Sequence, residues 1–177
     1  ATQAMTKPEL ISQLENAKNN YILGLAGISL FASPEAYTIL EKNHAAFGTY
    51  TVEFAQVVQL FEMLKTVRSR SRKFLKSQIR VLIKESFELI KDYCDGTGKA
   101  ALFKAEPWYQ FARMIRNCLS HKFKFNNYDK GLLPVSWRAR TITSAMDGQH
   151  LKLDFFGYVE TWELFREYES FVQDRLA

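Results

Sequence analysis

The stretch FARMIRNCLSHKF, residues 111–123, reads in two ways at once. Phe111, Ala112, Ile115, Cys118 and Leu119 recur at helical spacing, as on a buried amphipathic helix. Between them stand Arg113, Arg116, Asn117 and Ser120, with His121 at the end. These side chains bind phosphate or move protons. The question is whether this helix only closes a core or also carries a site.

Working outward, Pro107 predicts the start of this helix, and the segments on either side are helical in pattern. Thr6 and Glu9 have capping-box spacing with Pro8 in the first turn, so a helix is expected over about 7–31. Within it YILGLAGISLFA, residues 21–32, reads as a buried segment too short for a membrane span, with Gly24 and Gly27 open to close approach by a neighbour. Ser33-Pro34-Glu35 starts a second helix ending near Asn43. A third is expected from about Thr49, with Val52, Phe54, Ala55, Val58, Phe61 and Leu64 in register. A long fourth, about 69–94, carries Phe74, Ile79, Leu82, Ile83, Phe87 and Ile90. The pattern then changes: WRARTITSAMDGQHLKLDFF alternates around Asp147-Gly148, predicting a hairpin over about 136–156. A last helix over about 158–176 should turn Trp162, Phe165, Tyr168, Phe171 and Val172 inward.

The expected fold class is therefore all-α in the main: a bundle of four to five long helices with a small β-hairpin inserted before the last. The chain of 177 residues suits one domain, 5–177, with residues 1–4 read as a remnant of an expression tag. Its 47% hydrophobic content, 14 Phe among them, excludes disorder, while 8 Gly and 4 Pro favour long helices. The two cysteines, Cys94 and Cys118, form no CxxC pair, and His44, His121 and His150 have no zinc-ligand spacing. Two buried thiols in a reducing cytoplasm, with no metal and no cofactor, is the resulting expectation.

A net charge of +5 favours an anionic partner, and its distribution sharpens this. Lys65, Arg68, Arg70, Arg72, Lys73, Lys76, Arg80 and Lys84 fall in one span without an acid. Arg68, Arg72, Lys76, Arg80 and Lys84 recur every fourth residue, a stripe on which like charges repel by about 0.2–0.5 kcal/mol per pair. RNA or DNA laid along it would turn that repulsion into binding; a solvated face paired with acids from elsewhere is the alternative. Arg138, Arg140, Lys152 and Trp137 are weaker pointers of the same kind.

Metal-free RNA cleavage needs a base for the 2′-OH, an acid for the leaving 5′-oxygen and fixed positive charge on the phosphate. His121 can act as acid or base, and Arg116 offers a donor fork. Asn117 and His121, four apart, share a helical face, and Arg116 is long enough to swing toward it. Arg113 can join Arg116 on one phosphate. Ser120 and Tyr128 are secondary candidates, and Cys118 is a buried spacer. His121-Lys122 favouring the helix macrodipole, with Arg113 and Arg116 snorkelling over the core, is the purely structural alternative.

Arg116-Asn117-Cys118-Leu119-Ser120-His121 resembles the signature of the HEPN superfamily: an arginine, commonly followed by a polar residue, with a histidine after four to six intervening residues. The resemblance implies an all-α bundle and, for many members, metal-independent endoribonuclease activity in toxin–antitoxin or anti-phage systems. It implies a homodimer in which both motifs line one cleft, supplying the second histidine that one chain lacks. His121 would be the acid–base residue, Arg116 the phosphate clamp and Asn117 the orienting group, leaving a 2′,3′-cyclic phosphate. RNA is then the implied partner, with an antitoxin or other regulatory protein besides. Other members bind or scaffold without catalysis.

Overall fold

The structure, a computed structural model, describes residues 5–30, 33–62, 67–126 and 130–176, the side chains at 57, 60–62 and 67–71 excepted. Lys65, Tyr128 and the side chains of Arg68, Arg70 and Phe61 therefore lie outside it, as does Leu64. In chain order the described helices are α1 (Lys7–Leu30), α2 (Pro34–Glu41), α3 (Ala55–Glu62), α4 (Val67–Arg80), α5 (Ser86–Gly96), α6 (Ala100–Lys104), α7 (Tyr109–Ser120) and α8 (Tyr158–Ser170). The strands are β1 (His44–Phe47), β2 (Tyr50–Glu53), β3 (Val135–Trp137) and β4 (Arg140–Ile142). A π-helical turn, Val81–Glu85, carries α4 into α5, and a second, Phe171–Arg175, extends α8. The protein is mainly α-helical with small β-hairpins, the class expected from its patterning. No single helix among the described residues is long and apolar enough to cross a membrane.

The chain forms two compact units: Ala1–Tyr21 with Gln78–Ala177, and Ile22–Ser77. In the first, α5 packs against α6, α7 and α8. Two aromatic clusters fill it. Phe87, Phe103, Trp108, Tyr109, Tyr168 and Phe171 meet at centroid distances of 4.9–6.3 Å. Phe111 lies 5.2 Å from Trp137 and 6.3 Å from Phe156, joining α7 to the second cluster. Tyr109 and Phe111 thus clamp the start of α7 from two sides. Lys18 of α1 reaches Glu169 of α8 at 2.9 Å, and Glu169, nearly buried, also takes Arg166 at 2.5 Å. Two cations on one carboxylate make its burial tolerable.

In the second unit, α2 packs on α3 and Val58 is buried. The expected third helix begins later than its apolar spacing suggests. His44–Phe47 and Tyr50–Glu53 pair as an antiparallel hairpin, Phe47 opposite Tyr50, so Val52 lies in a strand and Phe54 in a turn. The reason is local: Gly48 takes φ +62° in the two-residue loop, and the β-branched and aromatic run Tyr50-Thr51-Val52 suits a strand. The apolar part of α1 also departs from expectation. Tyr21 is buried, but Ile22 and Leu23 are 45% and 68% exposed, and a Cβ at Gly27 would meet nothing within 4 Å. Among the described residues, no neighbour exploits that glycine.

The second hairpin, Val135–Ile142, falls at the start of the expected range of about 136–156 and turns elsewhere. Val135 pairs with Ile142 and Trp137 with Arg140, so the loop is Arg138-Ala139, with Arg138 at φ +50°. Asp147-Gly148 is a separate turn. Lys124, not the 141–146 segment, pairs with His150, because that register buries Phe125 and Leu151 together. Trp162 and Phe74 are partly exposed rather than inward, whereas Phe165, Tyr168, Phe171 and Val172 are buried as expected.

Candidate active site

Helix α7 has two stripes. Phe111, Ala112, Ile115, Cys118 and Leu119 are buried. Arg113, Arg116, Asn117 and Ser120 follow the same i, i+3, i+4, i+7 spacing on the opposite side. The core holds the first stripe and so aims the second outward.

Arg116 is half-buried and held from several directions. Its Nη2 pairs with Glu88 of α5, its Nη1 donates to Asn117 Oδ1 at 2.7 Å, and its guanidinium carbon lies 5.7 Å from the Phe87 ring centroid. Arg116 Nε is buried without a hydrogen-bond partner among the described residues, as is the phenol oxygen of Tyr168. Burial drives the Tyr168 phenol well above its ordinary pKa, although the Arg116 charge pulls the other way. Of the five guanidinium protons, one is given to Asn117, one to Glu88, and Nε–H is enclosed. One N–H on each terminal nitrogen is not used by these two contacts.

His121 is the C-cap of α7, at φ −101° and ψ 52°, and its side chain is exposed. Its backbone N–H donates to Asn117 O at 3.0 Å. Ser120 Oγ donates to Arg116 O at 3.0 Å, so that hydroxyl is spent on the helix. Arg113 Nη1 donates to Gln110 Oε1 at 3.3 Å. The motif residues therefore sit at one end of α7, with Arg116 and Asn117 bonded to each other and His121 exposed beyond them.

Immediately after His121 the backbone is unusual. Lys122 and Phe123 both have left-handed φ, 56° and 60°, a conformation costing an L-residue about 1–2 kcal/mol. Leu151 N–H donates to Phe123 O at 2.7 Å and Phe125 N–H to Gln149 O at 2.9 Å, which hold the strained turn. The chain thereby leaves α7 sharply.

The cysteines are enclosed in the fold. Both are buried and neither is in a disulfide among the described residues, and burial pushes the Cys94 thiol up to about 11. No group of three His, Cys, Asp or Glu suited to a metal occurs among the described residues. On α4, Arg72, Lys73 and Arg80 are exposed and have no ion pair among the described residues, and Lys76 is half-buried. Arg138 and Arg140 are different. Arg138 pairs with Glu163 at 2.7 Å and Glu167 at 3.3 Å, and Arg140 with Glu160 at 2.5 Å. Arg138 thus meets two carboxylates of α8 and Arg140 one.

Sequence reasoning missed Glu88. It lies one position from Phe87 on the flank of the α5 apolar stripe, and only the packing of α5 on α7 brings it to Arg116. It also passed over His150, whose backbone pairs with Lys124, four residues after α7 ends. No family model matches the chain, and no curated protein or solved structure matches it either.

Proposed function

We propose that the protein is a metal-independent endoribonuclease of HEPN type. The observation carrying this reading is the pair of motif residues on α7: an exposed histidine at the cap and, five residues earlier in the chain, an arginine whose guanidinium is fixed by Glu88 and Asn117. Arg116 would neutralise the scissile phosphate and the charge that develops on it. His121 would take the 2′-OH proton as O2′ attacks phosphorus, or protonate O5′ as the P–O5′ bond breaks, leaving a 2′,3′-cyclic phosphate. Asn117 holds the guanidinium in its fork orientation. A homodimer would bring two copies of the motif to one cleft, and a toxin–antitoxin or defence setting would add a restraining partner protein.

The test is RNA cleavage by purified protein with and without EDTA. Cleavage unaffected by EDTA and abolished by His121→Ala, with the melting temperature unchanged, is the expected result. Intact RNA after incubation with pure dimeric wild type overturns it. A second reading, a non-catalytic nucleic-acid-binding module, is favoured by the exposed cations Arg72, Lys73 and Arg80 on α4, which have no ion pair among the described residues. It requires salt-dependent binding lost on charge reversal at Arg72 and Lys76 and untouched by His121→Ala.

A further inference from the structure

Three residues beyond His121 the chain pairs with a segment remote in sequence. Lys124 lies opposite His150, and the bonds Phe125 N–H to Gln149 O (2.9 Å), Gly148 N–H to Phe125 O (2.8 Å) and Leu151 N–H to Phe123 O (2.7 Å) fix the register. Lys124 N–H donates to His121 O at 3.0 Å, so this pairing begins one turn from the cap of α7. Beside it opens a cleft of about 290 Å³, lined among others by Arg140, Gln149, His150, Lys152, Asp154 and Phe155. That volume is near the lower end of the roughly 300–1,000 Å³ typical of small-ligand sites, room for one nucleotide rather than several.

The lining has the chemistry of a nucleotide site. Lys152 is exposed with no ion pair among the described residues, and its Cα is fixed by a tight turn in which its carbonyl accepts from Phe155 and Phe156 N–H at 3.1 and 3.0 Å. Arg140 gives one N–H to Glu160 and keeps others. Gln149 Nε2 is anchored on Ala145 O at 2.7 Å, which leaves its Oε1 to accept from a base edge. Phe155 offers a half-buried ring for stacking, braced edge-on by Phe125 at 6.1 Å. Asp154 is the one carboxylate of the lining among the described residues. It repels a bare polyanion but accepts from a ribose hydroxyl, so the set fits a ribonucleotide better than a deoxyribonucleotide.

We propose that this cleft is a nucleotide subsite for single-stranded RNA: Lys152 and Arg140 on the phosphate, Phe155 against the base, His150 and Gln149 as polar contacts. Its position one turn past His121 makes it the seat of a nucleotide flanking the phosphate that Arg116 addresses, and that last assignment alone rests on the endoribonuclease reading.

The experiment uses full-length His121→Ala protein, so that binding is separated from cleavage, and a short fluorescein-labelled single-stranded RNA read by anisotropy, with the DNA of the same sequence beside it. Lys152→Glu is expected to weaken RNA binding by about tenfold and to lower the log–log salt slope by about one. Lys152→Gln, the milder change should the reversal unfold the chain, should act in the same direction. Asp154→Ala, which removes the acceptor for the ribose hydroxyl, should weaken RNA binding relative to DNA binding. In the otherwise wild-type chain, Lys152→Gln should raise KM for RNA cleavage with kcat kept. Unchanged RNA binding by both Lys152 variants, with wild type still cleaving, overturns the subsite and leaves the nuclease reading intact. Binding lost on these variants in a protein that never cleaves upholds the subsite and removes the nuclease. Binding that vanishes only with Arg72→Glu and Lys76→Glu overturns the subsite in favour of α4.

Discussion

Replacing Glu88 by glutamine removes a charge while keeping an acceptor of the same shape beside Arg116. The two side chains are 29% and 26% exposed, so the pair lies between two regimes. Exposed ion pairs contribute about 0–1 kcal/mol. Removing one partner of a buried pair costs about 3–5 kcal/mol, because the other charge is left without compensation. Arg116 is closer to the second regime than its exposure suggests, since its Nε is enclosed without a partner among the described residues and the Phe87 ring covers part of the guanidinium. A loss of about 1–2 kcal/mol is expected. For a chain of this size each kcal/mol moves Tm by about 2–4 °C, so the melting temperature should fall by about 2–8 °C. Thermal denaturation in a double-mutant cycle isolates the pair: in an Arg116→Met background Glu88→Gln should be nearly silent. If Glu88→Gln lowers Tm equally in both backgrounds, Glu88 does not act through Arg116 and the reasoning is wrong. On the proposed function, RNA cleavage by Glu88→Gln should drop by about ten- to a hundredfold, the scale at which a misplaced group is felt.

Other perturbations test the surroundings of the site. A Cβ at Gly157 would sit 2.5 Å from Leu153 O, so Gly157→Ala should destabilise by about 1–3 kcal/mol, whereas Gly27→Ala, in open space within α1, should stabilise by about 0.5–1 kcal/mol; matched denaturant titrations give both signs. Burial raises the Glu160 pKa, but hydrogen bonds from Arg140 and the Gly157 N–H, with the Arg140 charge, bring the net value below the ordinary 4.5. Its stabilisation is therefore present above pH 4.5 and lost as pH falls through the lower folded value, so the Tm gap between wild type and Glu160→Gln should close on acidification; a constant gap refutes this. Lys122→Gly relieves a left-handed lysine, a gain of about 1–2 kcal/mol set against about 0.5–1 kcal/mol of extra chain entropy, so a net rise in stability is expected from the same titrations.

Periodicity and caps carry most of the helical reading. Pro34 begins α2, the 158–176 pattern becomes α8 with its π-helical extension, and the apolar positions of α7 are the ones buried. These signals are local, because a helix closes its hydrogen bonds within four residues. Strand pairing is not local. Val52 and Phe54 fit a helical stripe equally well until Gly48 turns the chain back, and Asp147-Gly148 looks like a hairpin tip until the partner proves to be Phe123–Phe125. Burial of a given side chain also depends on a neighbour, which is why Leu23, Phe74 and Trp162 are exposed despite their place in apolar runs.

The same division holds at the candidate site. Sequence alone determined that an arginine, an asparagine, a serine and a histidine gather at the end of one amphipathic helix, because helical geometry is set by spacing. Tertiary structure alone decided that Glu88 and Phe87 hold the guanidinium, that His121 leaves the helix as its cap, and that His150 comes to lie across from Lys124. Each of these joins residues from separate elements or ends one element against another, and such contacts are settled by how whole faces bury against one another.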